Sequence, residues 1–195
     1  ELDVTEYDRF ASLLNAVHEE YDGLDVLHNN AGILGPVKRL EETSIEERSR
    51  LIDINVNGVW NGCHAAVPLM KERGTGAIVN TSSNSGFMAS PEVTTYCLTK
   101  AAVLNFTRAV AHEVGPHGIR VNAICPGMTD TNMLNTFYDG AGDPEEVKAE
   151  FAEEFSLKRI AEPVEMANAV LFLASEEASF VTGEALVVDG GFSIH

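Results

Sequence analysis

Tyr96 and Lys100 stand four residues apart in Thr94-Thr95-Tyr96-Cys97-Leu98-Thr99-Lys100, directly ahead of the helix-forming run Ala101-Ala102-Val103-Leu104. On a helix, positions i and i+4 share one face, so the phenol and the ammonium share an environment. A free tyrosine, with a pKa of about 10, is a poor acid or base near neutrality. A fixed cation beside it favours the phenolate and moves the pKa toward working pH. Such a tyrosine can exchange a proton with an alcohol or a ketone. On spacing alone, the commoner outcome is a partly buried ring beside a solvated amine. Ser83, thirteen residues upstream, changes that balance. It follows Ala77-Ile78-Val79-Asn80-Thr81-Ser82, which reads as a short buried strand running into a polar loop. A hydroxyl there can hold the same substrate oxygen that the tyrosine protonates.

The elements that must position these groups alternate between strand and helix. Glu1-Leu2-Asp3-Val4-Thr5 reads as the end of a strand, followed by a helix capped by Thr5. That helix is expected to run to about Tyr21 and to bury Phe10, Leu13, Leu14 and Val17, with Asp22-Gly23 breaking it. A strand over 24–29 ends at Ala31-Gly32, a small residue and a glycine that let a ligand approach the backbone closely. His28 within it reads as a core substitution, not as a catalytic group or metal ligand. Ser44 and Glu47 form a capping box for a long helical stretch to about Arg73. Asn55 lies inside that stretch, where asparagine has poor propensity, so something must compensate. Asn57 and Asn61 read as solvent-facing. A helix from near Pro91 to Val114, a strand over 119–124 leading to Pro126-Gly127, a helix over 163–175 and a strand over 185–188 complete the pattern. Residues 130–159 differ in character, with glycines, acidic residues and aromatics mixed around Phe137 and Tyr138; they read as a substrate lid or an ordinary surface excursion.

Composition bounds the class. The chain has 195 residues, 45% of them hydrophobic, enough for one domain with a sizeable core. Thirty acidic residues against 13 basic ones give a formal net charge of -17. That charge argues against nucleic acid or an anionic membrane surface as partner. Its sharper reading, adaptation to high salt, is a hypothesis that a melting temperature indifferent to molar salt would exclude. Cys63, Cys97 and Cys125 have no metal-binding spacing and cannot all pair, which points to a reducing compartment and a cytoplasmic protein. No apolar run reaches transmembrane length.

With Ser83, Tyr96 and Lys100 come Asn29-Asn30-Ala31-Gly32, Asn55-Val56-Asn57-Gly58, Pro126-Gly127-Met128-Thr129-Asp130-Thr131 and Val188-Asp189-Gly190-Gly191. In this order and at these spacings, the chain resembles the classical short-chain dehydrogenase/reductase family over essentially its whole length. The resemblance implies a single α/β domain over 1–195, a Rossmann-like doubly wound parallel sheet. It implies an oxidoreductase that interconverts a secondary alcohol and a carbonyl by hydride transfer with NAD or NADP and no metal. Tyr96 would transfer the proton, Lys100 would lower its pKa and contact the nicotinamide ribose, and Ser83 would orient the oxygen. Asn55 would support the relay through a water. Asp3 and Val4 would lie beside the adenine, and Asn30, Ala31 and Gly32 along the adenosine. Pro126-Gly127 would turn the chain where a flat ring can lie. The Thr129 backbone and the Thr131 hydroxyl would hold the carboxamide, although family members commonly carry an aliphatic residue at position 129. The helices around 50–73 and 96–114 would pair in homodimers or homotetramers through residues such as Val59, Trp60, Ala65, Val103, Phe106 and Val110, each of which could equally face the chain's own sheet.

A doubly wound sheet normally binds its dinucleotide through a glycine-rich turn after the first strand. No such turn precedes the first helix here. Measured against the family, two βα units of roughly sixty residues are lacking. They would lie between the Glu1–Val4 strand and the next one, so this polypeptide alone is expected to bind the cofactor poorly. Two other readings stay open: a relative of the sugar-nucleotide epimerases and dehydratases, which share the tyrosine-lysine pair, and an inactive fragment or scaffold.

Overall fold

The computed structural model describes residues 2–138 and 143–194. Four parallel strands form one sheet in the order β1 (Val26–Asn29), β2 (Gly76–Thr81), β3 (Ile119–Pro126) and β4 (Ala185–Val188). Parallel neighbours need a crossover on one face or the other, and here the crossovers are helices. Helices α1 (Tyr7–Tyr21), α3 (Gly58–Arg73) and α4 (Thr94–Val114) cover one face, with Phe10, Leu14, Leu27, Val59, Ala66, Met70, Ile78, Val103 and Val121 in the core between. Helix α7 (Pro163–Ala174) covers the other, where Leu173 meets Val79 and Ile124. The sheet is thus doubly wound. No helix among the described residues is long and apolar enough to cross a membrane.

Several expectations are corrected. Leu2–Val4 is not a strand. A strand must hand its backbone groups to a neighbour, and here the Val4 carbonyl accepts from Asn61 Nδ2 at 2.9 Å. Asn61 is therefore buried and spent on the backbone, not solvent-facing. Thr5 does not cap α1: its hydroxyl donates to Asp3 Oδ1 at 2.8 Å, and the helix starts at Tyr7 without a side-chain cap. Leu13 is 46% exposed because Phe10 and Leu14 form the stripe that faces α3. His28 is not in the core. α7 packs on β2, β3 and β4, so the residues of β1 on that face, Val26 and His28, lie at the surface. His28 Nε2 is instead 2.9 Å from Thr81 Oγ1.

The remaining punctuation follows the sequence closely. Asp22 adopts a left-handed φ of 55° to end α1. Ser44 and Glu47 make both capping-box bonds, 3.1 Å from Glu47 N to Ser44 Oγ and 2.8 Å from Ser44 N to Glu47 Oε2. Helix α2 (Ile45–Ile52) runs through a π-helical segment, Asp53–Asn57, into α3. Between β3 and α7 lie two short helices, α5 (Asn132–Tyr138) and α6 (Pro144–Ala152). The stretch 139–142 of the expected lid lies outside the described residues. Because all four strands run the same way, the segments that follow them open on one edge of the sheet, where ligands of such sheets bind.

Candidate active site

Three segments meet at that edge. The one after β1 carries Asn30, Ala31 and Gly32, the one after β2 carries Ser82 and Ser83, and the first turns of α4 carry Tyr96 and Lys100. Ser83 is buried and caps a 3₁₀ turn by accepting from Ser85 N at 3.1 Å. Its hydroxyl donates to Asn84 Oδ1 at 3.3 Å and lies close enough to the Tyr96 phenol to favour its ionised form. Lys100 comes up one turn later, with Nζ 5.5 Å from the centroid of the Tyr96 ring. The structure thus brings Ser83, Tyr96 and Lys100 into one place.

Their protonation runs against the expectation that the lysine holds the phenol low. Tyr96 is 9% exposed and Lys100 3% exposed, and burial penalises both charged forms. Burial pushes the Tyr96 phenol up to about 12, with the nearby Ser83 hydroxyl working in the opposite direction. Burial likewise draws the Lys100 ammonium down to about 8. The two charges are not in contact: Lys100 faces the ring and donates to Thr81 O at 2.9 Å.

Asn55 is fully buried in the π-helical segment, and the compensation that its position demands is visible. Its Oδ1 accepts from Ile33 N at 2.9 Å, and its Nδ2 donates to Ile33 O at 2.8 Å and to Thr99 Oγ1 at 3.1 Å. The extra residue of a π-bulge re-aims a side chain out of the regular helical ladder. Here it turns Asn55 onto the segment after β1.

The residues expected to hold a dinucleotide divide into two groups. Asp3, Val4 and Ala31 line one cleft of about 350 Å³ with Ile54. Beside it, Gly32 keeps the approach to Lys100 bare. A Cβ there would stand 3.3 Å from Asn55 Oδ1 and 3.5 Å from Lys100 Nζ. An ammonium has three donors, of which Thr81 O takes one. A cleft next to a bare glycine and a buried cation with donors to spare suits an elongated polyhydroxylated ligand, so these residues fit a nicotinamide dinucleotide.

The second group is less direct. A Cβ on Gly127 would stand 2.8 Å from Asp189 Cβ, so its bareness serves the packing of Asp189. Pro126 ends β3, and Gly127 N donates to Val188 O. The Thr131 hydroxyl turns back on Thr129 O at 3.3 Å, and Thr129 Oγ1 donates to Gly127 O at 3.2 Å.

Three contributors escape a reading by motif. Thr99 Oγ1 donates to Tyr96 O at 2.8 Å, Ser82 Oγ donates to Lys100 O at 2.9 Å, and Thr81 supplies the carbonyl beneath Lys100 Nζ. Thr99 and Ser82 each adjoin a residue that the spacing singles out, which was the available signal. The Thr81 carbonyl has none, since any residue type could supply it.

The profile of the family described as "Enoyl-(Acyl carrier protein) reductase" matches residues 1–193. Cyclopentanol dehydrogenase of Comamonas sp. (strain NCIMB 9872) is 41% identical over 192 residues, which are 98% of this chain and 75% of that protein. The 3-alpha-(or 20-beta)-hydroxysteroid dehydrogenase of Mycobacterium bovis is 40% identical over 190 residues, 97% of this chain and 68% of that protein. Among solved structures, ElxO with NADP bound superposes with a TM-score of 0.92 at 31% identity, over 100% of this chain and 77% of that one. The chain belongs to the short-chain dehydrogenase/reductase family and, like the alcohol and hydroxysteroid dehydrogenases it resembles, is a nicotinamide-dependent oxidoreductase acting on CH–OH groups.

Proposed function

We propose that this chain interconverts a neutral, apolar secondary alcohol and its ketone, with Tyr96 moving the proton. The observation that carries this reading is the Ser83 hydroxyl beside the Tyr96 phenol with Lys100 over the same ring. Bound NAD or NADP supplies the hydride acceptor in oxidation and the hydride donor in reduction. In reduction, the buried phenol gives its proton to the carbonyl oxygen while the Ser83 hydroxyl holds that oxygen. In oxidation the phenol oxygen takes the proton back. Lys100 holds the nicotinamide ribose and stabilises the phenolate, and Asn55 supports proton exchange with solvent. Asp3, Val4, Asn30, Ala31 and Gly32 take the adenosine side. Pro126, Gly127, Thr129 and Thr131 take the carboxamide, chiefly through backbone groups, since both threonine hydroxyls have internal partners.

The surroundings of Tyr96 support an uncharged substrate. Leu34, Leu51 and Val93 form an apolar cluster with its ring, joined by the half-buried Ile33 and Met133. Lys38 and Lys148 are each held by a carboxylate, Glu47 at 2.7 Å and Asp130 at 3.0 Å. Two relatives carry the names of a cyclic alcohol and a hydroxysteroid, which is in keeping with such a site. The test is nicotinamide absorbance in the full-length protein with cyclopentanol, a hydroxysteroid and gluconate. Turnover of the neutral alcohols is expected; turnover of gluconate alone would overturn the substrate class, and turnover of none would overturn the reading.

Further features are read the same way. Residues 1–195 form one dinucleotide-binding unit with 130–159 as its lid, within which Lys148 of α6 reaches Asp130. Pairing of copies through α3 and α4 is supported by Trp60, 46% exposed; Val59 and Val103 serve the chain's own core instead. Three free thiols are in keeping with the cytoplasm.

A further inference from the structure

A backbone donor recognises a ligand only where its peptide plane is aimed. We infer that Ala161 is the positioning residue that aims the peptide between Met128 and Thr129, turning the Thr129 N–H toward the cofactor's carboxamide. The inference rests on the assignment of Pro126, Gly127, Thr129 and Thr131 to the carboxamide and gives a role to a residue outside that set.

Ala161 is half-buried just ahead of α7 and forms an isolated parallel bridge with Thr129. Its own N–H and C=O bond to the residues on either side of Thr129. Ala161 N donates to Met128 O at 3.1 Å, and Asp130 N donates to Ala161 O at 2.9 Å. A trans peptide is planar, with its C=O and N–H on opposite sides, and the Met128–Thr129 peptide is trans. The bond from Ala161 N therefore holds Met128 O toward Ala161 and sends the Thr129 N–H the other way. Thr129 is half-buried, and its N–H donates to nothing among the described residues. Backbone donors away from water are normally paired, and a bound acceptor would pair this one.

No other hydrogen bond among the described residues falls on that peptide. Gly127 N donates to Val188 O at 3.1 Å and the Thr129 hydroxyl to Gly127 O at 3.2 Å, both on the peptides that precede it. They hold the turn and leave the Met128–Thr129 plane to Ala161. On the next peptide, Asp130 N points to Ala161, so Thr129 O is also sent away from it. Thr129 thus offers a donor and an acceptor on one side. The Thr131 hydroxyl occupies one lone pair of that carbonyl at 3.3 Å and leaves the other. A primary carboxamide carries the complementary pair, an oxygen and an N–H. Ala161 acts through its backbone, so its residue type gives no signal in a motif.

The test measures dissociation constants by calorimetry in the full-length protein for two ligands. One is NADH or NADPH, whichever binds more tightly. The other is ADP-ribose (2′-phosphorylated for NADPH), which keeps the adenosine and pyrophosphate and lacks the nicotinamide. Ala161→Pro removes the N–H and is expected to weaken the reduced cofactor roughly 3- to 10-fold, the scale of one neutral hydrogen bond. ADP-ribose binds as it does to wild type. Ala161→Val keeps the N–H and both constants. Thr129→Pro removes the aimed donor itself and gives the same loss, to which Ala161→Pro adds nothing. Where a proline variant fails to fold, an ester in place of the same amide removes the donor without fixing φ. The inference is overturned by unchanged reduced-cofactor affinity once the Ala161 donor is gone, by an equal loss of ADP-ribose, or by the same loss in Ala161→Val. Full affinity in Thr129→Pro would instead overturn the reading of the carboxamide site.

Discussion

Lys100 reaches across the face of the Tyr96 ring, its Nζ 5.5 Å from the centroid, and ends on the Thr81 carbonyl at 2.9 Å. The pair is thus stacked and not ion-paired. Burial governs each member more than its neighbour does, and the phenol and the ammonium are both displaced toward their neutral forms.

Replacing Tyr96 with Phe removes the proton carrier and keeps the ring that packs with Leu34, Leu51 and Val93. Turnover is expected to fall by about 10²–10⁴-fold. Nicotinamide cofactor binding and the melting temperature should stay near wild type. Steady-state kinetics beside a fluorescence titration with NADH and NADPH separates the two effects.

Ser83→Ala removes a hydroxyl that favours the Tyr96 phenolate, so the phenol rises further above its ordinary value. Alcohol oxidation, which needs the phenol oxygen as base, should drop by roughly 10²-fold. Its pH profile should move to the alkaline side. A kcat–pH series from pH 6 to pH 10.5 checks both, and an unmoved profile would argue that Ser83 only caps its turn.

Lys100 links the site to stability. Its ammonium titrates at about 8 in the folded chain against an ordinary value of 10.5. Between those values the unfolded chain binds more protons, so stability rises with pH, and the full penalty for the buried charge falls below pH 8. Lys100→Met lacks this dependence. Relative to that variant, the wild type should gain about 2 kcal/mol from pH 7 to pH 10. Urea unfolding at four pH values measures it. Above pH 10 the raised Tyr96 phenol acts in the opposite sense, because the unfolded tyrosine ionises first.

Arg120 separates fold from site. Its guanidinium donates to the carbonyls of Leu173, Ala174 and Ser175 at the end of α7, at 2.6, 3.2 and 3.0 Å. A helix end leaves such acceptors without intrahelical partners. Arg120→Met should cost about 2–3 kcal/mol and lower the denaturation midpoint. At temperatures where the variant is folded, kcat should be unaltered.

The helices and strands were legible because their signals are local. Periodic apolar residues, the Ser44-Glu47 box and the Asp22-Gly23 break act within one or two turns, so the order of elements follows from the chain itself. The meeting of Ser83 with Tyr96 was legible for a similar reason. A strand and the helix beside it must bring their ends to the same edge of a parallel sheet.

What the amino-acid order determined by itself is therefore the doubly wound architecture and the types of group at its open edge. Tertiary structure alone decided how each group is solvated and which way it points. His28 could be placed only once the reach of α7 was known, and Asn61 only once the Val4 carbonyl was seen to need a donor. The displacement of Tyr96 and Lys100 from their ordinary pKa values depends on how much water their neighbours exclude. That is a property of atoms distant in sequence, and a motif does not carry it.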